Sequence, residues 1–202
     1  MLNYQTGWIE VICGSMFSGK TEELIRRIRR ANIARQRVIL FKPEIDNRYA
    51  ESLVISHSQQ KIEAIVARNT QDIIEKSRGY EVVGIDEAQF FGLSLVETCQ
   101  TLADEGKRVI VSGLDQDYKG KPFEPIPQLL AIAEYITKNL AICMRCGNPA
   151  NRNQRLSNHK QRVMLGGHDS YEARCRRCHS VSPNSKTNTP EAQTEKHDTL
   201  KA

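Results

Sequence analysis

The stretch "WIEVICGSMFSGKTEELIRRIRRA", residues 8–31, admits few folds. An apolar run from Trp8 to Cys13 leads directly into Gly14, four further residues, and then Gly19, Lys20 and Thr21. Beyond Lys20, Leu24, Ile25, Ile28 and Ala31 recur at helical spacing with arginines between them. Strand, glycine turn and amphipathic helix in that order is the context in which G-x-x-x-x-G-K-[ST] holds phosphates. Successive backbone N–H groups converge where the helix begins, and glycine permits the backbone angles this needs. The spacing therefore predicts a triphosphate cradle built from Gly14, Ser15, Met16, Phe17, Ser18, Gly19, Lys20 and Thr21. Lys20 would neutralise the β- and γ-phosphates, and the Thr21 hydroxyl would coordinate Mg²⁺.

The rest of the chain fits a sheet built around that loop. "RVILFKP" (37–43), "YEVVGIDEAQFF" (80–91) and "KRVIVSGLD" (107–115) each carry a strand-like apolar run. "LVISH" and "IEAIVA" are weaker strands, "TQDIIEKS" a short helix, and "SLVETCQTLADEG" (94–106) a capped helix closed by Gly106. Alternating strands and helices predict an α/β fold, a P-loop NTPase-like parallel sheet flanked by helices. Beyond Ile142 cysteine, arginine and glycine replace helical periodicity, which predicts a small zinc-binding C-terminal lobe. The expected divisions are a nucleotide-binding domain over 1–141, the lobe over 142–183, and a polar, disordered tail over 184–202. With no signal-like start and no apolar stretch of about 20 residues, the expectation is a soluble, cytoplasmic protein.

Two acids follow the third strand. Asp86 stands where such folds place a second Mg²⁺ ligand, and Glu87 comes next. An unpaired carboxylate beside a triphosphate is repulsive and has few structural reasons to stand there, but it can act as a base. If it deprotonates water the chain is an ATPase; if it deprotonates a substrate hydroxyl the chain is a kinase. Sequence order leaves both open.

Cys143-x-x-Cys146 and Cys175-x-x-Cys178 are separated by 28 residues and supply four thiolates suited to a closed, structural Zn²⁺ site. His179 stands beside them as a substitute ligand that four cysteines make unnecessary. Cys13 and Cys99, in apolar surroundings, are expected as small core residues. From Ala141 to Pro183 eight basic residues face two acidic ones. This excess suits either a solvated basic surface or a polyanionic ligand. A nucleic-acid-dependent ATPase is thus one alternative, since "DEAQ" after a strand also resembles a helicase motif. A non-enzymatic zinc-ribbon module is another. Against the first, 202 residues leave no room for paired motor domains; the second leaves the phosphate loop and Glu87 without purpose.

Taken together, "GSMFSGKT", "KPEIDNRY", "DEAQFF", "GLDQDYKGKPF" and "GGHDSYEARC-x-x-C" resemble thymidine kinases of the type II, zinc-containing kind, from about Ile9 to His179. The resemblance implies γ-phosphoryl transfer from ATP to the 5′-hydroxyl of thymidine or deoxyuridine, with Glu87 accepting the hydroxyl proton. It implies an ATP and Mg²⁺ site extended by Asp46, Asn47, Arg48, Asp86, Glu87, Ala88 and Gln89. Phe90, Leu114, Tyr118 and Asn153 would surround the nucleoside. Arg162, Val163, Met164, Leu165 and Gly166 would meet the base mainly through backbone, and Tyr171 would close over it. It further implies a cytosolic homotetramer inhibited by the end product dTTP, with no nucleic-acid partner and no membrane. Two positions depart from the pattern: Asn153 stands where threonine is common, and His168 replaces a small residue.

Overall fold

The computed structural model describes residues 6–45, 53–55, 61–157 and 170–181. The chain enters as β1 (Trp8–Gly14), turns through the glycine loop into α1 (Lys20–Ile33) and continues as β2 (Val38–Pro43). A short antiparallel pair, β3 (Leu53–Ile55) and β4 (Lys61–Glu63), precedes β5 (Ile65–Ala67), α2 (Thr70–Lys76) and β6 (Val82–Ile85). A single 3-10 turn over Ala88–Phe90 leads to α3 (Ser94–Asp104), β7 (Arg108–Leu114), α4 (Ile126–Ile132) and β8 (Tyr135–Asn139). Four short strands finish the described chain: β9 (Ala141–Ile142), β10 (Pro149–Ala150), β11 (Arg152–Arg155) and β12 (Tyr171–Arg174).

Six strands form one parallel sheet in the order β5-β2-β6-β7-β1-β8. Alternate side chains on each strand pack on opposite faces, as the two-residue period of a strand requires. Ile12, Leu40, Val82 and Ile110 meet Leu24, Ile25, Ile28 and Ala31 of α1 on one face. Val11, Cys13, Phe41, Ile85 and Val111 meet Ile73, Leu95, Cys99, Leu102, Ile126 and Leu129 of α2, α3 and α4 on the other. The core is therefore a sheet covered on both sides, and all of the parallel strands point their C-terminal ends at the glycine loop. Cys13 and Cys99 are fully buried in it, and burial pushes the Cys99 thiol up to about 12.

The element ends follow local chemistry. Asn69 caps α2 by accepting from the Asp72 backbone N–H at 2.9 Å. Gly106 closes α3 at φ 86°, its N–H donating to the Ala103 carbonyl. The expected cap at the start of α3 is not made: Leu93 precedes the helix without a side-chain bond, and the Ser94 hydroxyl accepts from Thr70 instead. The arginines of α1 differ in exposure. Arg26, Arg29 and Arg30 are exposed, whereas Arg27 donates to Glu10, Glu23 and Thr137. Glu10 is buried on β1, and a buried carboxylate needs such partners; Arg108 and the Trp8 indole N–H supply the rest.

Sequence patterning leaves α4 and β8 unread. β8 is an edge strand with Tyr135 and Ile136 exposed, so its apolar residues do not alternate. It nevertheless flanks β1 and shapes the glycine loop, because a Cβ at Gly14 would lie 2.3 Å from the Asn139 carbonyl oxygen. No helix among the described residues is long and apolar enough to cross a membrane.

Candidate active site

β1 ends at Gly14, φ 147°, and the loop turns through Phe17 and Gly19, both left-handed at φ 63° and 77°. That turn delivers Lys20 and Thr21 at the start of α1, where the helix end favours anions. Lys20 Nζ and Ser18 Oγ both donate to the Ser15 carbonyl at 2.8 Å, which holds the loop in its cradle shape. Thr21 Oγ1 donates to Asp86 Oδ2 at 3.2 Å. A hydroxyl and a carboxylate are thus paired at the mouth of the cradle, the oxygen donors that a hard cation such as Mg²⁺ prefers.

Asp86 follows β6 and is 5% exposed, with β7 lying between its strand and β1. Burial, and then the adjacent Glu87 carboxylate, push the Asp86 carboxyl up to about 6 against the opposing effects of Ser112, the Glu87 backbone and Lys20. Glu87 itself has left-handed backbone, φ 48°, and accepts from Gln89 Nε2 at 2.5 Å. The other end of the buried Gln89 amide accepts from Leu114 N–H at 3.0 Å. Glu87 is therefore oriented through Gln89 onto the end of β7. A strained backbone at a half-exposed acid, held by a buried amide, is the kind of conformation that surrounding structure must enforce.

Beyond Gln89, Phe90 lies half-buried in the 3-10 turn, and Tyr118 and Tyr171 are buried. Arg155, itself 3% exposed, stacks its guanidinium 3.7 Å from the Tyr118 ring centroid and donates to the Tyr171 hydroxyl at 2.6 Å. This aromatic–arginine stack links β11 and β12 to the loop after β7. Nothing in the spacing of Arg155 marks it; only the fold brings it between two tyrosines.

The four cysteine sulfurs of the C-x-x-C pairs lie within 4.8 Å of one another, with Cys146 at 3.7 Å from Cys175 and 3.6 Å from Cys178. Four sulfurs about 2.3 Å from a tetrahedral Zn²⁺ stand about 3.8 Å apart, so this donor set fits that ion. Burial raises the Cys143 thiol, but backbone N–H groups of Cys175, Arg145 and Cys146 outweigh it and lower the pKa. Cys146 is lowered to about 6, chiefly by the Asn148 backbone N–H. Cys178, hydrogen-bonded first to Cys146 and then to Cys175, is instead pushed up to about 12, so the sulfurs share protons that a bound metal would displace. His179 is not a fifth donor: its Nε2 lies 2.9 Å from the Tyr118 carbonyl and, facing an oxygen that only accepts, carries the proton.

The pattern of the thymidine kinase family matches residues 7–179. The chain belongs to the thymidine kinase family. A thymidine kinase of Rhodothermus sp. (strain ITI 518) is 60% identical over 172 residues, covering 85% of this chain and 81% of that protein. Among solved structures, AMPPCP-bound DnaA from Aquifex aeolicus aligns with a TM-score of 0.38 at 13% identity, over 67% of this chain and 41% of that one. That second likeness is too slight to bear on the fold or the site.

Of the residues that resemblance to thymidine kinases selects, the described structure gathers Gly14 to Thr21, Asp86 to Phe90, Leu114, Tyr118 and Tyr171 at the C-terminal side of the sheet. Asp46, Asn47 and Arg48, residues 162–166, His168 and the tail lie outside the described residues. Asn153 is described, and its amide meets backbone: Oδ1 accepts from Met16 N–H and Nδ2 donates to the Gln116 carbonyl, each at 2.7 Å.

The raised Asp86 pKa makes a prediction for the nucleotide-free protein. A carboxyl whose folded pKa exceeds its ordinary 3.8 stabilises the fold fully below about pH 4 and loses that contribution as pH rises through about 6. Wild type should therefore lose stability relative to Asp86→Asn between pH 4.5 and 7.5, on the order of 1–3 kcal/mol. Urea midpoints of both proteins at the two pH values test this. A difference that stays constant with pH would mean Asp86 is already ionised without hindrance.

Proposed function

We propose that the chain transfers the γ-phosphoryl group of ATP to the 5′-hydroxyl of thymidine or deoxyuridine, giving dTMP in the case of thymidine, as a nucleotide-salvage reaction. The observation that carries this reading is Glu87, held by Gln89, which is itself anchored on Leu114, and next in sequence to Asp86, which pairs with Thr21 of the phosphate cradle. Gly14 to Thr21 bind the triphosphate, with Lys20 placing positive charge against it. Thr21 and Asp86 are the ligands for Mg²⁺, which neutralises charge on the transferring phosphoryl group when bound. Glu87 takes the proton of the acceptor hydroxyl as the oxygen attacks the γ-phosphorus of ATP, and the β–γ phosphoanhydride bond breaks with ADP as the leaving group. Phe90, Leu114, Tyr118 and Tyr171 pack around the nucleoside and keep water from competing as acceptor.

Zinc in this reading is structural, held by Cys143, Cys146, Cys175 and Cys178, whose donor set is closed. The protein acts as a cytoplasmic homotetramer inhibited by dTTP. Support for self-association is the outer edge of β8, unpaired among the described residues, where Tyr135 and Ile136 are 60% and 54% exposed. An exposed strand edge with apolar side chains is a surface that another chain readily covers. Light scattering on the eluting protein gives the subunit count, and a monomer at micromolar concentration would remove that part of the reading.

The deciding experiment follows ADP formation from Mg²⁺-ATP without acceptor, with a nucleoside panel, and with single-stranded DNA. Turnover driven by thymidine, with thymidine monophosphate as product, is the expected result. Release of free phosphate driven by DNA, with thymidine inert, would make Glu87 an activator of water.

A further inference from the structure

The phosphate loop touches the cysteine-bearing lobe at three consecutive residues. Ser15 Oγ donates to the Ala150 carbonyl at 3.3 Å, Met16 N–H donates to Asn153, and Phe17 packs against Ala141, Cys143, Ala150, Ala173 and Cys175. Asn153, 2% exposed on β11, also donates to the Gln116 carbonyl, two residues before Tyr118. Its neighbour Arg152 donates to the Gln116 side chain and, at 3.1 Å, to the Gly120 carbonyl. Arg155, on the same face of β11 as Asn153, holds Tyr118 and Tyr171.

We infer that Asn153 is a positioning residue that ties the phosphate loop to the tyrosine-bearing loop after β7 and thereby couples triphosphate binding to nucleoside binding. The inference rests on the kinase reading above. A carboxamide carries an acceptor and a donor on separate atoms, so one short side chain meets an N–H and a carbonyl at once. Buried, both bonds are costly to leave unmade. Any shift of Met16 when phosphates settle into the cradle is therefore passed to Gln116, and from there to Tyr118. A threonine would have to serve both backbone groups from one hydroxyl oxygen, whereas the asparagine amide meets each with its own atom. The departure of this chain from the common threonine thus places a strut where the resemblance places a base contact.

The test measures binding of a non-hydrolysable ATP analogue with Mg²⁺, by calorimetry, with and without saturating thymidine, on the full zinc-loaded chain. Wild type is expected to bind the analogue more tightly when thymidine is present. Asn153→Ala and Asn153→Asp should each reduce that enhancement at least about fivefold, the lower end of ordinary coupling between sites. Asn153→Asp keeps the volume and the acceptor for Met16 and turns a carboxylate oxygen toward Gln116, so it serves where the alanine variant folds poorly. Zinc content and melting temperature, checked for both variants, separate lost coupling from a lost lobe. An undiminished enhancement in a folded variant overturns the inference, and so does a wild type in which thymidine leaves analogue affinity unchanged. In both cases the kinase reading survives. A wild type that binds neither ligand rejects both.

Discussion

Glu87→Gln is expected to leave ATP binding near its wild-type level and to lower kcat with thymidine by about 10²–10⁴-fold, the usual contribution of a positioned general base. The size follows from what the residue touches. Its carboxylate is anchored by Gln89 Nε2 at 2.5 Å, and Gln89 is anchored in turn by the Leu114 backbone N–H. The carboxylate thus has a fixed direction rather than a range of rotamers. Glutamine preserves shape and loses the ability to take a proton. The hydrogen bonds that shape the phosphate cradle run through Ser15, Ser18, Lys20 and Thr21, side chains that the substitution leaves in place. Steady-state kinetics on the variant, with nucleotide affinity measured separately, gives the split between kcat and binding. Near-normal turnover would exclude Glu87 as the base. Loss of ATP affinity in proportion to kcat would make it part of the phosphate site instead.

Much of this site was legible because local chemistry demanded it. Gly14 and Gly19 adopt positive φ, and Gly14 also meets the Asn139 carbonyl too closely for any side chain. A strand ending in such a glycine, followed by lysine and an amphipathic helix, has few other uses. The paired cysteines were legible for a similar reason, since two C-x-x-C turns supply two sulfurs each to one point. What escaped sequence reasoning depends on contacts between distant segments. β8 is read by its neighbour β1 rather than by its own pattern, with exposed Tyr135 and Ile136 where alternation would be sought. Arg27 sits in a run of surface arginines and is drawn inward only because Glu10, seventeen positions earlier, is buried. Arg155 and Asn153 carry no spacing signal either. Their partners Met16, Gln116, Tyr118 and Tyr171 lie on three other segments, and the roles exist only once β11 is in place.

Cys143→Ser tests the other end of the site, and its expected effect is larger in kind: loss of bound zinc and at least a tenfold rise in the thymidine KM, an order-of-magnitude expectation from lost ligand positioning. Among the described residues the lobe has only a small apolar cluster of its own. Its buried apolar cluster is Ala141, Cys143, Ala150, Ala173 and Cys175, so two of its five residues belong to the four-cysteine set that fits a zinc ion. Such a cluster buries too little surface to offset the entropy of ordering the strands. Structural zinc supplies about 10–16 kcal/mol in comparable small modules, and removing one of four thiolates forfeits most of that. The strands that lose support are β11 and β12, which carry Arg155 and Tyr171. The consequence should stay local, because the clusters on the two faces of the main sheet contain no residue of the lobe. Circular dichroism and the urea transition of the sheet are therefore expected to persist in the variant while metal content and thymidine affinity fall. ATP affinity should weaken less, through loss of the contacts that Asn153 and the lobe's apolar cluster make with Met16 and Phe17 of the phosphate loop. A chelator acting on wild type should reproduce the same pattern without any substitution. Unchanged metal content and thymidine KM in the serine variant would show that the four sulfurs, close as they are, hold nothing on which nucleoside binding depends.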